Sequence, residues 1–248
     1  KATTDNERRR AVALPRETAD RPKSRETTTM DAPARGSDDV TMEEIADVAN
    51  LLAAFRRVAD NRGAPGPDGQ TVDAVCSRIG TELPRLARAL LGGTYRPGEI
   101  RRVWIPKSGG GQRGLGIPNV IDRVVQQAIL QKLAPLYEPV FHRSSHGFRP
   151  EKSCHTAIAE AKELVGQGRQ WVVDIDLERF FDRVPHQRLL AKLRARHRDD
   201  RLLQVIGRML RAQVVMPDGV VVTTEEGTPQ GGPLSPLLSN IVLDELDH

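Results

Sequence analysis

The segment WVVDIDLERFFD, residues 171–182, places two acidic side chains within an apolar run. Successive side chains of a β-strand point to opposite faces, so a strand here would put Val172, Asp174 and Asp176 on one face. Carboxylate oxygens are the preferred ligands of Mg²⁺, which keeps waters and substrate phosphates as its other ligands. Alternatively, both acids are solvated at a strand end or paired with arginines. The segment alone leaves both interpretations open.

The composition is that of a globular chain with a modest positive charge. The 248 residues carry a formal net charge of +4 at pH 7, and 38% of them are hydrophobic, which is enough for one large or two modest cores. No apolar run is long enough for a membrane helix, and the first residues lack the apolar part of a secretory signal. We therefore expect a cytoplasmic protein that does not bind membranes.

Two further expectations follow from composition. Cys76 and Cys154 are far apart and form no Cys-x-x-Cys pair, so we expect two buried thiols and neither a zinc site nor a disulfide. The low aromatic content, 4%, argues against a protein that binds single strands by stacking many bases.

The order of local patterns predicts an α+β fold. Residues 1–40 contain few large apolar side chains, so we expect a disordered tail. Thr41 begins a helix with a capping box, and the alternating residues on either side of SGGG predict a β-hairpin over residues 100–117. A second hairpin is predicted at MPDGV, followed by a helix over residues 234–246. Helices mixed with short, separated strands are typical of α+β proteins.

Basic residues are concentrated in two stretches, 96–113 and 183–211. Such stretches are commonly solvated helix faces. A surface that binds nucleic-acid phosphates is the alternative.

Five motifs, taken together, resemble the group II intron reverse transcriptase and maturase family. The resemblance covers about residues 58–247 and implies an RNA-directed DNA polymerase, a nucleotidyltransferase that also assists intron splicing and mobility. It implies a right-hand polymerase fold with fingers and a partial palm. In chain order, the motifs are RRVWIPKSGGGQRGLGIP, DRVVQQAIL, SSHGFRPEKSCHTAI, DIDLERFFD and EGTPQGGPLSPLLSN.

The resemblance assigns the metal and sugar positions. Asp176, five residues before Phe181, matches the first metal-binding aspartate, with the backbone carbonyl of Leu177 as a further ligand and Asp174 as the second candidate. Phe181 is similar to the bulky residue that excludes a ribose 2′-hydroxyl. Ordinary core packing is the alternative role for a phenylalanine.

The remaining positions implied by the resemblance bind nucleotide and nucleic acid. Lys107 and Arg113 match cations that fold over the incoming triphosphate. Gln230 matches a residue beside the nucleotide sugar, while Gly231 and Gly232 would leave room for nucleotide and template. The implied partners are intron RNA, an RNA template with a DNA primer, and dNTPs, and a homodimer is left open. The proposed nucleic-acid contacts are Arg101, Arg102, Arg149, Arg188 and Lys192.

One part of the family pattern is missing. The family also uses two aspartates in a Tyr-x-Asp-Asp turn, and neither tyrosine precedes such a pair. Asp199 and Asp200 are adjacent, but RHRDDRL is typical of a helix boundary. Because two-metal transfer needs carboxylates on both sides of the ion pair, we expect an incomplete Mg²⁺ site and a fragment that is inactive alone.

Two interpretations of the whole chain follow. The chain is part of a reverse transcriptase, nucleoid-associated if mobile, or it is a non-catalytic intron-RNA-binding remnant or splicing cofactor. Co-occurrence of Asp176, Lys107, Arg113 and Gln230 favours the polymerase. Retron-type and other bacterial reverse transcriptases share several of the motifs. The implied domains are a tail, fingers, palm, a return to the fingers and a palm helix, at residues 1–40, 41–150, 151–183, 184–228 and 229–248.

Overall fold

The computed structural model describes residues 39–229 and 231–248, so nearly all of the predicted tail lies outside the described residues. The predicted α+β class is confirmed. The α-helices are α1 Met42–Ala46, α2 Val48–Asp60, α3 Val72–Cys76, α4 Ile79–Leu91, α5 Val120–Tyr137, α6 Cys154–Gly166, α7 His186–Arg196, α8 Asp200–Leu210 and α9 Ser235–Asp247. A 3₁₀ helix spans Phe180–Asp182, and the strands are β1 Ile100–Pro106, β2 Gln112–Ile117, β3 Val214–Val215 and β4 Val221–Val222.

Both predicted hairpins form one mixed sheet with the strand order β2-β1-β3-β4. The register of β1 and β2 is antiparallel and runs from Arg101 opposite Ile117 to Pro106 opposite Gln112. β3 pairs with β1 in parallel and with β4 in antiparallel. The sheet therefore joins hairpins that are about a hundred residues apart in sequence.

Helix α5 lies at the centre of the core. Its residues Val124, Val125, Ile129 and Leu133 are fully buried, and it packs against α2. Burying an aliphatic side chain of this size contributes about 1.5–3 kcal/mol. Since α2 and α9 both contact α5, this helix connects the beginning of the described chain to its end.

The helix termini that sequence predicted are stabilised by side chains. Thr41 and Glu44 form the capping box at α1, as expected. Asp199 caps α8, accepts a hydrogen bond of 2.8 Å from the backbone N–H of Met42, and pairs with Arg201 at 2.8 Å. The prediction that RHRDDRL is a helix boundary is confirmed, and this boundary also fixes the start of α1.

The expectation of buried thiols is wrong, because Cys76 and Cys154 are both exposed. Cys76 is the last residue of α3. Cys154 begins α6, a helix without a buried residue. Both thiols lie at helix ends that face solvent.

The expected strand at residues 171–176 is also absent from the described structure. Trp171 is 96% exposed and Val172 84% exposed. In the described part of the chain, no backbone hydrogen bond joins residues 170–178 to another segment. A strand forms by pairing with a neighbour, and none of β1 to β4 pairs with this segment. Local alternation therefore predicted a strand that lacks its pairing partner here.

No helix in residues 39–229 or 231–248 combines the length and the apolar character that a bilayer crossing requires.

Leu133→Ala should test the role of α5 in the core. Removing this fully buried side chain should lower the free energy of unfolding by about 2–5 kcal/mol, measured by urea denaturation. The matched control is Leu246→Ala in α9, where the side chain is 58% exposed and the loss should be below about 0.5 kcal/mol. Equal losses in the two variants would contradict the assignment of α5 to the core.

Candidate active site

The turn that follows β4 folds back onto the 3₁₀ helix. The Gly227 N–H donates to the Val184 carbonyl at 2.8 Å, and the Thr228 N–H donates to the Phe181 carbonyl at 2.6 Å. Gly227 has φ of +91°, and a Cβ there would lie 2.8 Å from the Asp182 carbonyl oxygen. Glycine is therefore required where the turn meets the 3₁₀ helix.

The next two glycines press against β2 and α5. Gly231 has φ of +127°, and a Cβ would lie 2.2 Å from the Gly116 carbonyl oxygen. At Gly232, a Cβ would lie 2.1 Å from Oε1 of Gln126. The close approach is thus made to the chain itself, and the role of these glycines in clearing space for nucleotide and template stays a prediction. Gln230 lies outside the described residues.

A cavity of about 700 Å³ opens beside this turn. The hairpin contributes Arg113 and Leu115, and the chain around the 3₁₀ helix contributes Phe181. Gly231 and Gly232 form part of its wall. The cavity therefore joins three segments that are distant in sequence, and it brings together three of the predicted site residues: Arg113, Phe181 and Gly231.

Phe181 lies between two cavities. It lines the cavity of about 700 Å³ and also a neighbouring cavity of about 340 Å³ that includes Trp104 and Met216. Its ring meets the edge of the Phe148 ring with 6.0 Å between centroids. Phe148 is 72% exposed and has φ of +55°. A half-buried aromatic ring at a cavity junction can act as a steric barrier, which is the role that the resemblance implies for Phe181.

The hairpin tip carries the two predicted phosphate-binding cations. Lys107 and Arg113 both line an open cavity of about 560 Å³ at the tip. The turn closes through the Lys107 N–H, which donates to the Gly111 carbonyl at 3.0 Å. Since Arg113 also lines the 700 Å³ cavity, this guanidinium connects the tip to the space beside Phe181.

The predicted carboxylates lie apart from this cavity. Asp174, Asp176 and Leu177 are exposed on the unpaired segment, and none of them lines the cavities described above. Among residues 39–229 and 231–248, no three His, Cys, Asp or Glu side chains lie close enough to hold a metal ion. The described donor set therefore does not fit a two-metal Mg²⁺ site by itself.

Arg149 has a structural role. Its side chain is 8% exposed, its Nε donates to the Glu138 carboxylate at 3.0 Å, and its guanidinium also donates to the carbonyls of His142 and Ser145. With its donors directed into the fold, Arg149 has little left to offer a phosphate. Its contact with nucleic acid stays a prediction.

The other predicted nucleic-acid contacts differ in how their charges are neutralised. Arg188 and Lys192 on α7 both pair with Glu245 on α9. Arg101 and Arg102 on β1 form no ion pair with a described carboxylate, and their Nε atoms are buried without a hydrogen-bond partner among the described residues. The two β1 arginines are therefore the better candidates for a phosphate.

Sequence reasoning missed the contribution of α5 to the cavity. Arg123 and Gln127 line it, and the Arg123 guanidinium donates to the Ala64 carbonyl at 2.9 Å. These polar residues are four apart in α5, so they share one helical face. That spacing within DRVVQQAIL was the available signal.

A buried network fixes the start of α5. Asp122 accepts hydrogen bonds from the Tyr95 hydroxyl at 2.5 Å, the Gly98 N–H at 3.0 Å and the Asn119 amide at 3.2 Å. Burial raises the pKa of Asp122 above its ordinary value. Asn119 is the N-cap residue of α5, but its side chain accepts from the Asp68 N–H instead of capping the helix. Through Asn119, the network ties the loop before α3 to the helix that lines the cavity.

Comparison with known proteins agrees with this arrangement. Residues 105–248, more than half of the chain, match the family described as reverse transcriptase (RNA-dependent DNA polymerase). The chain belongs to the reverse transcriptase family. The resemblance to its group II intron branch is supported by the group II intron-encoded protein LtrA of Lactococcus lactis subsp. cremoris, 37% identical over 195 residues.

Two further matches extend the comparison. Protein YkfC of Escherichia coli (strain K12) is 42% identical over 204 residues, which cover 80% of this chain and 53% of YkfC. The LtrA match covers 78% of this chain and 32% of LtrA. A chain of a partial Cas6-RT-Cas1–Cas2 complex matches with a TM-score of 0.54 and 25% identity, covering 84% of this reverse transcriptase chain and 34% of that chain. The chain spans about half of YkfC and about a third of LtrA.

Gly231→Ala should test the contact between the turn and β2. The new methyl group would meet the Gly116 carbonyl oxygen, and overpacking of this kind costs about 1–3 kcal/mol beyond backbone strain. Gly219→Ala is the matched control, because φ is +86° and no atom lies within 4 Å of the new Cβ. Its loss should be about 1–2 kcal/mol from left-handed strain alone. If urea denaturation gives the same loss for both variants, the turn does not press on β2.

Proposed function

We propose that this reverse transcriptase is an RNA-directed DNA polymerase encoded by a group II intron, which also assists splicing and mobility of that intron. The observation that carries the proposal is the shared cavity of Arg113, Phe181 and Gly231 beside the hairpin. Its partners would be intron RNA, an RNA template with a DNA primer, and dNTPs, and its location would be the cytoplasm.

The hairpin residues would hold the triphosphate. A planar guanidinium binds two phosphate oxygens at once, and a lysine adds a compact charge. Lys107 and Arg113 line the same open cavity at the tip, so both can face one polyanion. Developing charge on the departing pyrophosphate would be stabilised by these fixed cations.

Phe181 would select the sugar. Its ring borders the cavity that Arg113 also lines, so a nucleotide held by the hairpin cations would bring its ribose towards this ring. A 2′-hydroxyl would then collide with the aromatic edge. Discrimination by steric exclusion favours deoxynucleotides over ribonucleotides.

Metal chemistry would require more donors than the described residues provide. We propose that Asp176 and the Leu177 carbonyl would hold one side of a Mg²⁺ site, which would supply neutralisation of phosphate charge and activation of the primer hydroxyl. Both residues are exposed and unpaired with another strand, so they are accessible to further carboxylates. Pairing of residues 171–176 with an additional strand would set their alternating faces.

A second candidate function is compatible with the described metal donors. A non-catalytic RNA-binding protein or splicing cofactor needs the basic surface but no assembled metal site, and none is assembled by the described residues. The cavity bordered by Phe181 and Arg113 favours the polymerase, because RNA binding alone does not require a nucleotide-sized space.

The purified 248-residue chain should not extend a DNA primer on an RNA template when Mg²⁺ and dNTPs are supplied. The reason is that two-metal transfer needs carboxylates on both sides of the ions. Gel analysis of labelled primer checks this, with a commercial reverse transcriptase as the positive control. Extension that disappears in Asp176→Ala would show that this chain assembles the site.

The chain should bind RNA through β1 in a salt-dependent manner. Replacing both Arg101 and Arg102 with Gln should weaken RNA binding and reduce the slope of log affinity against log salt by about one for each phosphate that is no longer neutralised. Fluorescence anisotropy with a labelled RNA hairpin measures this. Arg85→Gln on α4, an exposed arginine outside β1, is the control. Wild-type affinity that does not change with salt would exclude a phosphate-binding surface.

A further inference from the structure

Three arginines converge on an open cleft of about 280 Å³ that lies between the α4–β1 connection and the end of α8. Arg96 comes from the connection, and Arg208 and Arg211 come from α8 and its C-cap. Glu99 is the one carboxylate among the residues that line this cleft, and Gln213 adds a neutral amide. The cleft shares no lining residue with the 700 Å³ cavity.

The guanidinium groups of Arg96 and Arg208 donate to the same two backbone carbonyls. Nη1 of Arg96 donates to the carbonyls of Gly93 and Tyr95, each at 2.9 Å. Nη1 of Arg208 donates to the same carbonyls at 3.2 and 3.0 Å. A guanidinium has five N–H donors, so each group retains donors for a ligand. Neighbouring like charges repel, and an anion bound between them would relieve that repulsion.

The positive charge of the cleft is not neutralised by the fold. Arg96, Arg208 and Arg211 form no ion pair with a carboxylate in the described part of the chain, whereas Arg201, also on α8, pairs with Glu43 and with Asp199. Arginines near a helix C-terminus commonly stabilise its exposed carbonyls. Nη1 of Arg208 instead donates to two carbonyls outside α8.

Arg211 is the arginine that is freest to bind a ligand. It is exposed, it follows the last residue of α8, and its guanidinium makes no hydrogen bond with the described residues. Its Nη2 lies over Gly207, one turn earlier in the helix. An anion in the cleft could accept from Arg211 without breaking a contact of the fold.

We propose that Arg96, Arg208 and Arg211 form a binding site for an RNA phosphodiester, separate from the hairpin and the nucleotide cavity. Arginine forks match the paired oxygens of a phosphodiester. This site rests on the proposed function in one respect, since it takes RNA to be the polyanion that the protein binds. It would give a bound RNA a second point of attachment and so fix its direction across the protein.

Arg211→Gln is the first test, because this side chain makes no hydrogen bond that the fold needs. Binding of a labelled RNA hairpin, measured by fluorescence anisotropy, should weaken about tenfold to a hundredfold when one charge-assisted hydrogen bond is removed. The slope against salt should fall by about one. Arg211→Lys, which keeps the charge but lacks the planar fork, should restore the salt slope and only part of the affinity.

The controls separate this site from the proposed function. Arg85→Gln should bind RNA as the wild type does, and urea denaturation should show that Arg211→Gln is fully folded. If Arg211→Gln binds normally while the double Arg101 and Arg102 variant binds weakly, this site is overturned and the proposed function stands. If the wild-type chain binds no RNA, the proposed function fails together with the site.

Titration with inorganic phosphate distinguishes a site for RNA phosphodiesters from a site for free phosphate ions. The cleft as an RNA site should bind free phosphate too weakly for calorimetry to detect, because one anion lacks the neighbouring contacts of a strand. Calorimetric phosphate binding that Arg211→Gln abolishes, with RNA binding unchanged, would make the cleft a small-anion site and overturn the RNA assignment.

Discussion

The turn that contains Gly227 and Gly231 packs against the β1–β2 hairpin, and this contact determines where the candidate site residues lie. Gly231 approaches the Gly116 carbonyl so closely that a methyl group cannot be inserted, and Gly227 approaches the Asp182 carbonyl in the same way. Two backbone hydrogen bonds hold the turn to Phe181 and Val184. Since the hairpin, the 3₁₀ helix and α9 all line the cavity, its shape depends on this contact.

The cavity and the predicted metal-binding aspartates lie in different parts of the structure. Arg113, Phe148 and Phe181 border the cavity, where shape and positive charge can select and hold a nucleotide. The carboxylates of Asp174 and Asp176 lie outside it, on a segment whose apolar residues are largely exposed. Exposed apolar side chains favour burial against another element. The residues proposed to bind the nucleotide are thus brought together, while those proposed to bind metal lie on a segment without a pairing partner in the described structure.

Features determined by neighbouring residues could be predicted from sequence. The hairpin tip, the capping box at Thr41 and the helix boundary at Asp199 depend on turn and capping chemistry within a few residues, and all three are confirmed. Segment 171–176 has the alternation of a strand, but pairing depends on residues far away, and the prediction of a strand was wrong. The prediction that Cys76 is buried was also wrong, because burial depends on packing with residues that are distant in sequence.

The candidate site was predictable in part. The motifs indicated Arg113, Phe181 and Gly231, which the fold brings together, but they could not show that Gly231 packs on β2. Arg123 and Gln127 were missed because their four-residue spacing shows that they share a helical face but not which cavity that face lines. Arg149 was expected to bind nucleic acid, yet three-dimensional packing directs its donors to Glu138 and nearby carbonyls.

Amide hydrogen exchange, read residue by residue on the 248-residue chain, is the most direct test of this separation. The central claim predicts slow exchange at Gly227 and Thr228, whose N–H groups are bonded to carbonyls, and fast exchange across residues 172–177, whose N–H groups make no backbone bond in the described structure. Protection of residues 172–177 equal to that of β1 would contradict it, because the carboxylate segment would then already be paired.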